Sequence, residues 1–214
     1  MKLITVTLNP AIDVTLMCDQ IDFDKVGRVH TEIREAGGKG VNVSRVAKKF
    51  GADGYCFALM GRENTPEYLN LLNDTAGEFI SAQIEGRIRE NITIHPVADK
   101  ETRISLDNFK VTPELLSELK GMLIKVLDAD TFVSFSGRIP KGITKEDAIA
   151  FLNELKATGA KLAVDSNSLT PEDLIKINPW FIKPNEEEIV DYGGQDVNDL
   201  DAAASAADRL RSAG

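Results

Sequence analysis

Short apolar runs alternate with segments of helical period along most of the chain, and this alternation limits the available folds more than any other feature. Ile4 to Leu8, Tyr55 to Met60, Phe132 to Phe135, Leu162 to Val164 and Trp180 to Ile182 read as buried strands. Helical periodicity falls around 41–50, 66–73, 113–127, 145–157, 185–191 and 199–211. Within 113–127, Leu115, Leu116, Leu119, Met122, Leu123, Val126 and Leu127 keep one face apolar, and Thr112 before Pro113 is an N-cap signal. The pattern predicts an α/β fold, a doubly wound and mostly parallel sheet with helices on both faces.

Two regions break the alternation. Segments 12–36 and 87–107 carry strand-like stretches of mixed polarity, such as R-V-H-T-E-I-R and N-I-T-I-H-P-V. They predict a small accessory β-sheet, a lid or a dimer contact, with an ordinary hairpin packed on the core as the plainer reading. At 214 residues without a composition shift, the whole of 1–214 reads as one domain. The last helical segment ends A-A-D-R-L-R-S-A-G, with basic residues in its last turn and Gly214 at the C-cap. A strand is the next expected element, so the sequence reads as a fold cut at an element boundary.

Charge narrows the function classes. A net charge of −9 argues against a nucleic-acid face, because phosphate backbones recruit surplus Lys and Arg. An anionic small molecule stays compatible, since a few placed cations can dominate one cleft. No apolar run approaches the roughly 20 residues needed to cross a bilayer, and the N-terminal run reads as a strand and not as a signal-peptide core. Cys18 and Cys56 are isolated and read as reduced thiols in a cytoplasmic protein. His30 and His95 are the only histidines and no Cys/His cluster occurs, which argues against a structural zinc site. No G-x-S-x-G elbow supports a serine triad.

The stretch E-A-G-G-K-G-V-N-V-S-R-V-A-K-K-F-G, residues 35–51, is the strongest candidate for a ligand site. It fails as a Walker loop, because Gly38-Lys39 is followed by Gly40 and Ile33 stands where the first glycine belongs. It fails as a dinucleotide fingerprint, because Val43 occupies the third glycine position. Gly37, Gly38 and Gly40 let backbone approach a ligand closely and lead into a helix. The expected apolar face of that helix is Val43, Val46, Ala47 and Phe50, with Gly51 closing it. Free N–H groups at its start suit an oxygen-rich or anionic ligand, Lys39 adds charge and Asn42 a two-way amide. A tight packing turn is the alternative.

T-L-N-P-A-I-D at 7–13, A-G-G-K-G-V-N-V-S-R at 36–45 and I-K-P-N-E-E-E at 182–188 together resemble the ribokinase-like sugar kinases. Within that family the sequence is similar to the branch of bacterial 1-phosphofructokinases and tagatose-6-phosphate kinases. The resemblance runs from residue 3 to the end. It implies a doubly wound α/β domain with a small β-lid that often makes a homodimer contact. It implies that Asp13 accepts hydrogen bonds from sugar hydroxyls, that Gly37, Gly38 and Asn42 line the sugar pocket, and that Arg28 and Arg89 reach a phosphate already on the sugar. A guanidinium fork suits that last task. Lys39 would add to the same positive field. On the nucleotide side the resemblance implies Lys183 and Asn185 near the phosphates of ATP, Glu188 organising Mg2+ through water, and Asp165 at the cleft. The plainer reading of E-E-E is an acidic first helical turn, and both readings can hold together.

The sequence also departs from the family pattern. Ser136-Gly137-Arg138-Ile139-Pro140 stands where S-G-S-L-P is usual, so Arg138 either adds charge toward a phosphate or removes a hydroxyl contact. Ile88 replaces a threonine before Arg89. The family's G-A-G-D loop, source of the proton-accepting aspartate, has no counterpart, since no G-x-G-D occurs. The resemblance therefore implies ATP-dependent phosphorylation of a ketohexose monophosphate by the intact enzyme. Fructose 1-phosphate ranks first, tagatose 6-phosphate second and an unphosphorylated sugar or nucleoside third, with no appreciable turnover by 1–214 alone. A non-catalytic sugar-phosphate sensor and a ligand-free scaffold dimer are the alternatives of other classes.

Overall fold

The computed structural model describes residues 2–21, 24–98, 100–107, 109–193 and 200–213. In chain order the elements are β1 (Lys2–Thr7), β2 (Ala11–Cys18), β3 (Val29–Gly37), α1 (Lys39–Lys49), β4 (Asp53–Gly61), α2 (Thr65–Leu72), β5 (Glu78–Ile84), β6 (Arg89–Pro96) and β7 (Thr102–Ser105). They continue with α3 (Pro113–Ile124), β8 (Thr131–Ser136), α4 (Lys145–Lys156), β9 (Lys161–Asp165), α5 (Pro171–Ile177), β10 (Phe181–Ile182), α6 (Glu186–Gly193) and α7 (Leu200–Ala213). Gly214 and the first residue of the expected 199–211 helix lie outside the described residues.

Six strands in the order β10-β9-β8-β1-β4-β5 form one sheet in which every pair is parallel. This is the expected α/β architecture. Ile4, Val6, Phe57, Leu59, Val133 and Phe135 are fully buried or within 1% of it, as central parallel strands covered on both faces require. The helices begin where short polar side chains can satisfy their free N–H groups. Thr112 Oγ1 accepts from Leu115 N–H ahead of α3, and Thr144 with Asp147 makes a reciprocal capping box on α4. Cys18 and Cys56 are both buried free thiols, and burial pushes the Cys56 thiol up to about 11.

The second sheet has four strands in the order β3-β2-β6-β7, drawn from the two segments expected to make it. β2 pairs antiparallel with β3 and parallel with β6, and β6 pairs antiparallel with β7. Arg34 on β3 ties it to the rest of the molecule, donating from Nε to Glu67 on α2 at 2.9 Å and from Nη2 to Glu90 at 2.6 Å.

Several sequence expectations need correction. The buried face of α1 is Gly40, Val41 and Ser44, while Val46 is 53% and Phe50 87% exposed. The helix starts at Lys39, and its inner face includes a serine whose hydroxyl donates to Ala76 O at 2.8 Å, so a polar residue occupies a core position. Trp180 to Ile182 is no buried strand: β10 starts at Phe181, pairs only with β9, and leaves Trp180 61% exposed at the sheet edge. The sequence reading placed no element over β5 or α5. β5 is the opposite edge strand with a half-polar face, and α5 is short, although Thr170 and Asp173 form its capping box.

Candidate active site

Pairing in the small sheet assembles the site. Asp13 on β2 lies opposite Asn91 on β6, and Asn91 lies opposite Ser105 on β7, so the three side chains share one face. Arg89 precedes Asn91 by two residues and shares that face. Asn91 Nδ2 donates to Asp13 Oδ1 at 2.8 Å, Ser105 Oγ to Asn91 Oδ1 at 2.8 Å, and Arg89 Nη1 to Ser105 Oγ at 2.9 Å.

The glycine turn closes against this ladder. A Cβ on Gly37 would sit 2.0 Å from Asp13 Oδ2, so only glycine lets the carboxylate lie over the backbone there. Gly38 is the residue before α1 and adopts φ +125°, which L side chains rarely reach. No side chain caps α1, so its first N–H groups face outward beside Asp13 without an acceptor from a cap.

A cavity of about 530 Å³ is bounded by both parts of the molecule, with Asp13, Gly38, Lys39, Asn42, Arg89 and Arg138 among its lining residues. Six of the eight residues expected at a sugar phosphate therefore converge on one space. Gly37 lies directly beneath Asp13. Arg28 is placed elsewhere: it is exposed before the far end of β3, where Val29 pairs with Cys18, whereas Asp13 pairs with Glu35. Six residue steps along β3 separate the two levels, roughly 20 Å. Asn9, Asn91, Arg103, Ser105 and Asn167 also line the cavity and were missed in the sequence. Alternation along β6 after Arg89 was the only signal that pointed to Asn91.

Charge in the cavity is unbalanced toward positive. Burial, then the charge of Arg138, lower the pKa of Arg89, and Asp13 opposes them. Two guanidinium groups near enough to repel, with Arg89 Nε buried and unpartnered among the described residues, mark a place for an anion.

The expected nucleotide-side residues adjoin this cavity through Asp165 at the end of β9. Asp165 Oδ1 accepts from Lys39 Nζ at 2.9 Å and its Oδ2 lies 3.6 Å from Lys183 Nζ. Ahead of α6, Glu188 Oε2 accepts from Asn185 N–H at 2.9 Å, and Asn185 Oδ1 accepts from Glu188 N–H at 2.7 Å. That is a capping arrangement, and it places E-E-E in the first turn of α6, where the plainer reading had it. Glu188 Oε1 remains buried without a partner among the described residues. A buried carboxylate oxygen left bare is costly, so a cation or its water shell fits there. Among the described residues no group of three or more His, Cys, Asp or Glu could hold a metal, and no helix is long and apolar enough to cross a membrane.

The family model described as pfkB family carbohydrate kinase matches residues 2–214. The chain belongs to that family. It is 27% identical over 214 residues to the 1-phosphofructokinase of Haemophilus influenzae, covering 100% of this chain and 68% of the relative. It is 28% identical over 209 residues to the tagatose-6-phosphate kinase of Staphylococcus epidermidis, covering 95% of this chain and 67% of the relative. The fold is that of phosphofructokinase-2 from Escherichia coli, solved in complex with substrates and products, at a TM-score of 0.89 and 21% identity over 100% of this chain and 70% of that one. The pfkB chain thus spans about two thirds of the length of these relatives.

Proposed function

We propose that this pfkB chain carries the sugar-phosphate site of a kinase that moves the γ-phosphoryl group of ATP to a free primary hydroxyl of a ketohexose monophosphate. Fructose 1-phosphate is the first choice of substrate and tagatose 6-phosphate the second, the two chemistries named for its relatives. The observation that carries the reading is the convergence of Asp13, Arg89 and Arg138 on one cavity. A carboxylate that only accepts hydrogen bonds suits sugar hydroxyls, and paired guanidinium forks suit a phosphate.

Phosphoryl transfer asks a protein mainly for alignment and charge neutralisation. Asp13, Gly38 and Asn42 would orient the sugar, and Arg89 with Arg138 would hold its phosphate. Lys183 and Asn185 would face the nucleotide phosphates. Magnesium keeps several waters and binds few protein carboxylates, so Glu188 with its bare Oε1 suffices as its anchor. Bound there, the ion would neutralise charge on the transferring group. The small sheet would exclude water from the acceptor hydroxyl and serve as a homodimer contact, with the exposed Arg28 carried on it. Reduced, buried Cys18 and Cys56 accord with a cytoplasmic setting. Since no G-x-G-D occurs in the sequence, residues 1–214 bind sugar phosphate without appreciable turnover.

Calorimetric titration tests the reading. Fructose 1-phosphate is expected to bind at least about tenfold more tightly than fructose, the gain from one well-made charged contact. Equal affinity for the two, or none for either, overturns it.

A further inference from the structure

We propose that Ser105, on the outer strand of the small sheet, is a positioning residue that couples the phosphate-facing and hydroxyl-facing ends of the cavity. The inference rests on the sugar-phosphate reading for its ligand but on geometry for its substance. Asp13, Asn91 and Ser105 stand opposite one another on β2, β6 and β7, and Arg89 shares their face. The hydrogen bonds between them can run in only one direction. Carboxylate Asp13 only accepts, so Asn91 turns its amide NH2 to it. The Asn91 oxygen is left to face Ser105, whose single hydroxyl proton goes there. The lone pairs of Ser105 are left for Arg89, which only donates. Each bond in such a chain polarises the next.

The relay leaves both ends open where a ligand would need them. Arg89 makes this one side-chain hydrogen bond among the described residues and keeps its buried Nε bare. Asp13 uses Oδ1 within the relay, leaving Oδ2 over Gly37. A hydroxyl at 105 thus holds the guanidinium and the carboxylate at one spacing. Alanine there would free Arg89 and leave the Asn91 amide held by Asp13 alone.

The experiment compares wild type, Ser105→Ala, Ser105→Thr, Arg89→Ala and the Arg89→Ala/Ser105→Ala double variant. Fructose 1-phosphate affinity is read by calorimetry, and hydrogen exchange of the Asn91 side-chain amide by NMR without ligand. Ser105→Ala is expected to weaken binding about tenfold. Ser105→Thr, which keeps the hydroxyl, is expected to stay within about threefold. In the Arg89→Ala background the Ser105→Ala loss should shrink to about threefold or less, the non-additivity of groups that act together. In the ligand-free protein Ser105→Ala should speed Asn91 amide exchange about tenfold. Equal Ser105→Ala losses with and without Arg89, or unchanged Asn91 exchange, overturn the proposal. If wild type binds no fructose 1-phosphate, the sugar-phosphate reading fails while the exchange measurement alone still decides the relay.

Discussion

Strand β1 of the large sheet buries Ile4 and Val6 completely, whereas every residue of β7 in the small sheet is exposed. The first is held by apolar surface removed from water, at about 25 cal/mol per Å², and tolerates little change in volume. The second is held by ladder hydrogen bonds and cross-strand polar pairs, each of modest net worth. β1 therefore contributes stability, as does β2 in the small sheet, which buries Ile12 and Val14, whereas the outer strand β7 spends its side chains on ligand chemistry. That division permits substitutions that damage one property and spare the other.

The largest effect is expected in the large sheet's cover. Leu119 on α3 is fully buried, and Leu119→Ala should cost about 2–5 kcal/mol of stability through lost contacts and the cavity left behind. Chemical denaturation checks this, and a loss under about 1 kcal/mol would mean that α3 is not part of a close-packed core. Arg89→Ala should do the reverse. It removes a charged fork from the cavity and is expected to weaken fructose 1-phosphate binding about 30- to 100-fold, with little change in the melting temperature. A variant that melts early and keeps its affinity would contradict the assignment of Arg89 to the ligand.

The same division decides what was legible in the sequence. Apolar runs such as Tyr55 to Met60 announce central strands because both faces must be covered. β5, with Glu78, Ser81 and Gln83 among its residues, lies at an edge where that demand lapses, and its signal fades. The inner face of α1 was misread because Ser44 is buried through a hydrogen bond to a backbone carbonyl and not through apolarity. At the site, the glycine turn was legible because backbone close approach allows only glycine, as the 2.0 Å approach at Gly37 illustrates, whereas Asp13 was legible only through the family resemblance. Asn91 and Ser105 were not, because the ladder exists only once β2, β6 and β7 are paired, and pairing leaves no local mark. Arg28 illustrates the converse. A motif match placed it near phosphate, and the run of β3 carries it away from Asp13 within one chain.

The smallest expected effect sharpens the comparison most. Ile33 on β3 lies opposite Thr15 and is 41% exposed. In an isolated chain Ile33→Ala should change stability by less than about 0.5 kcal/mol, since little apolar area is withdrawn from water there. The measurement is made at two protein concentrations tenfold apart. If the small sheet pairs with a second copy, Ile33 is covered in the dimer, and the cost should grow to about 1–2 kcal/mol at the higher concentration only. A large cost at both concentrations would place Ile33 in a packed core, and the contrast between the buried β1 and the exposed outer strands of the small sheet would no longer hold.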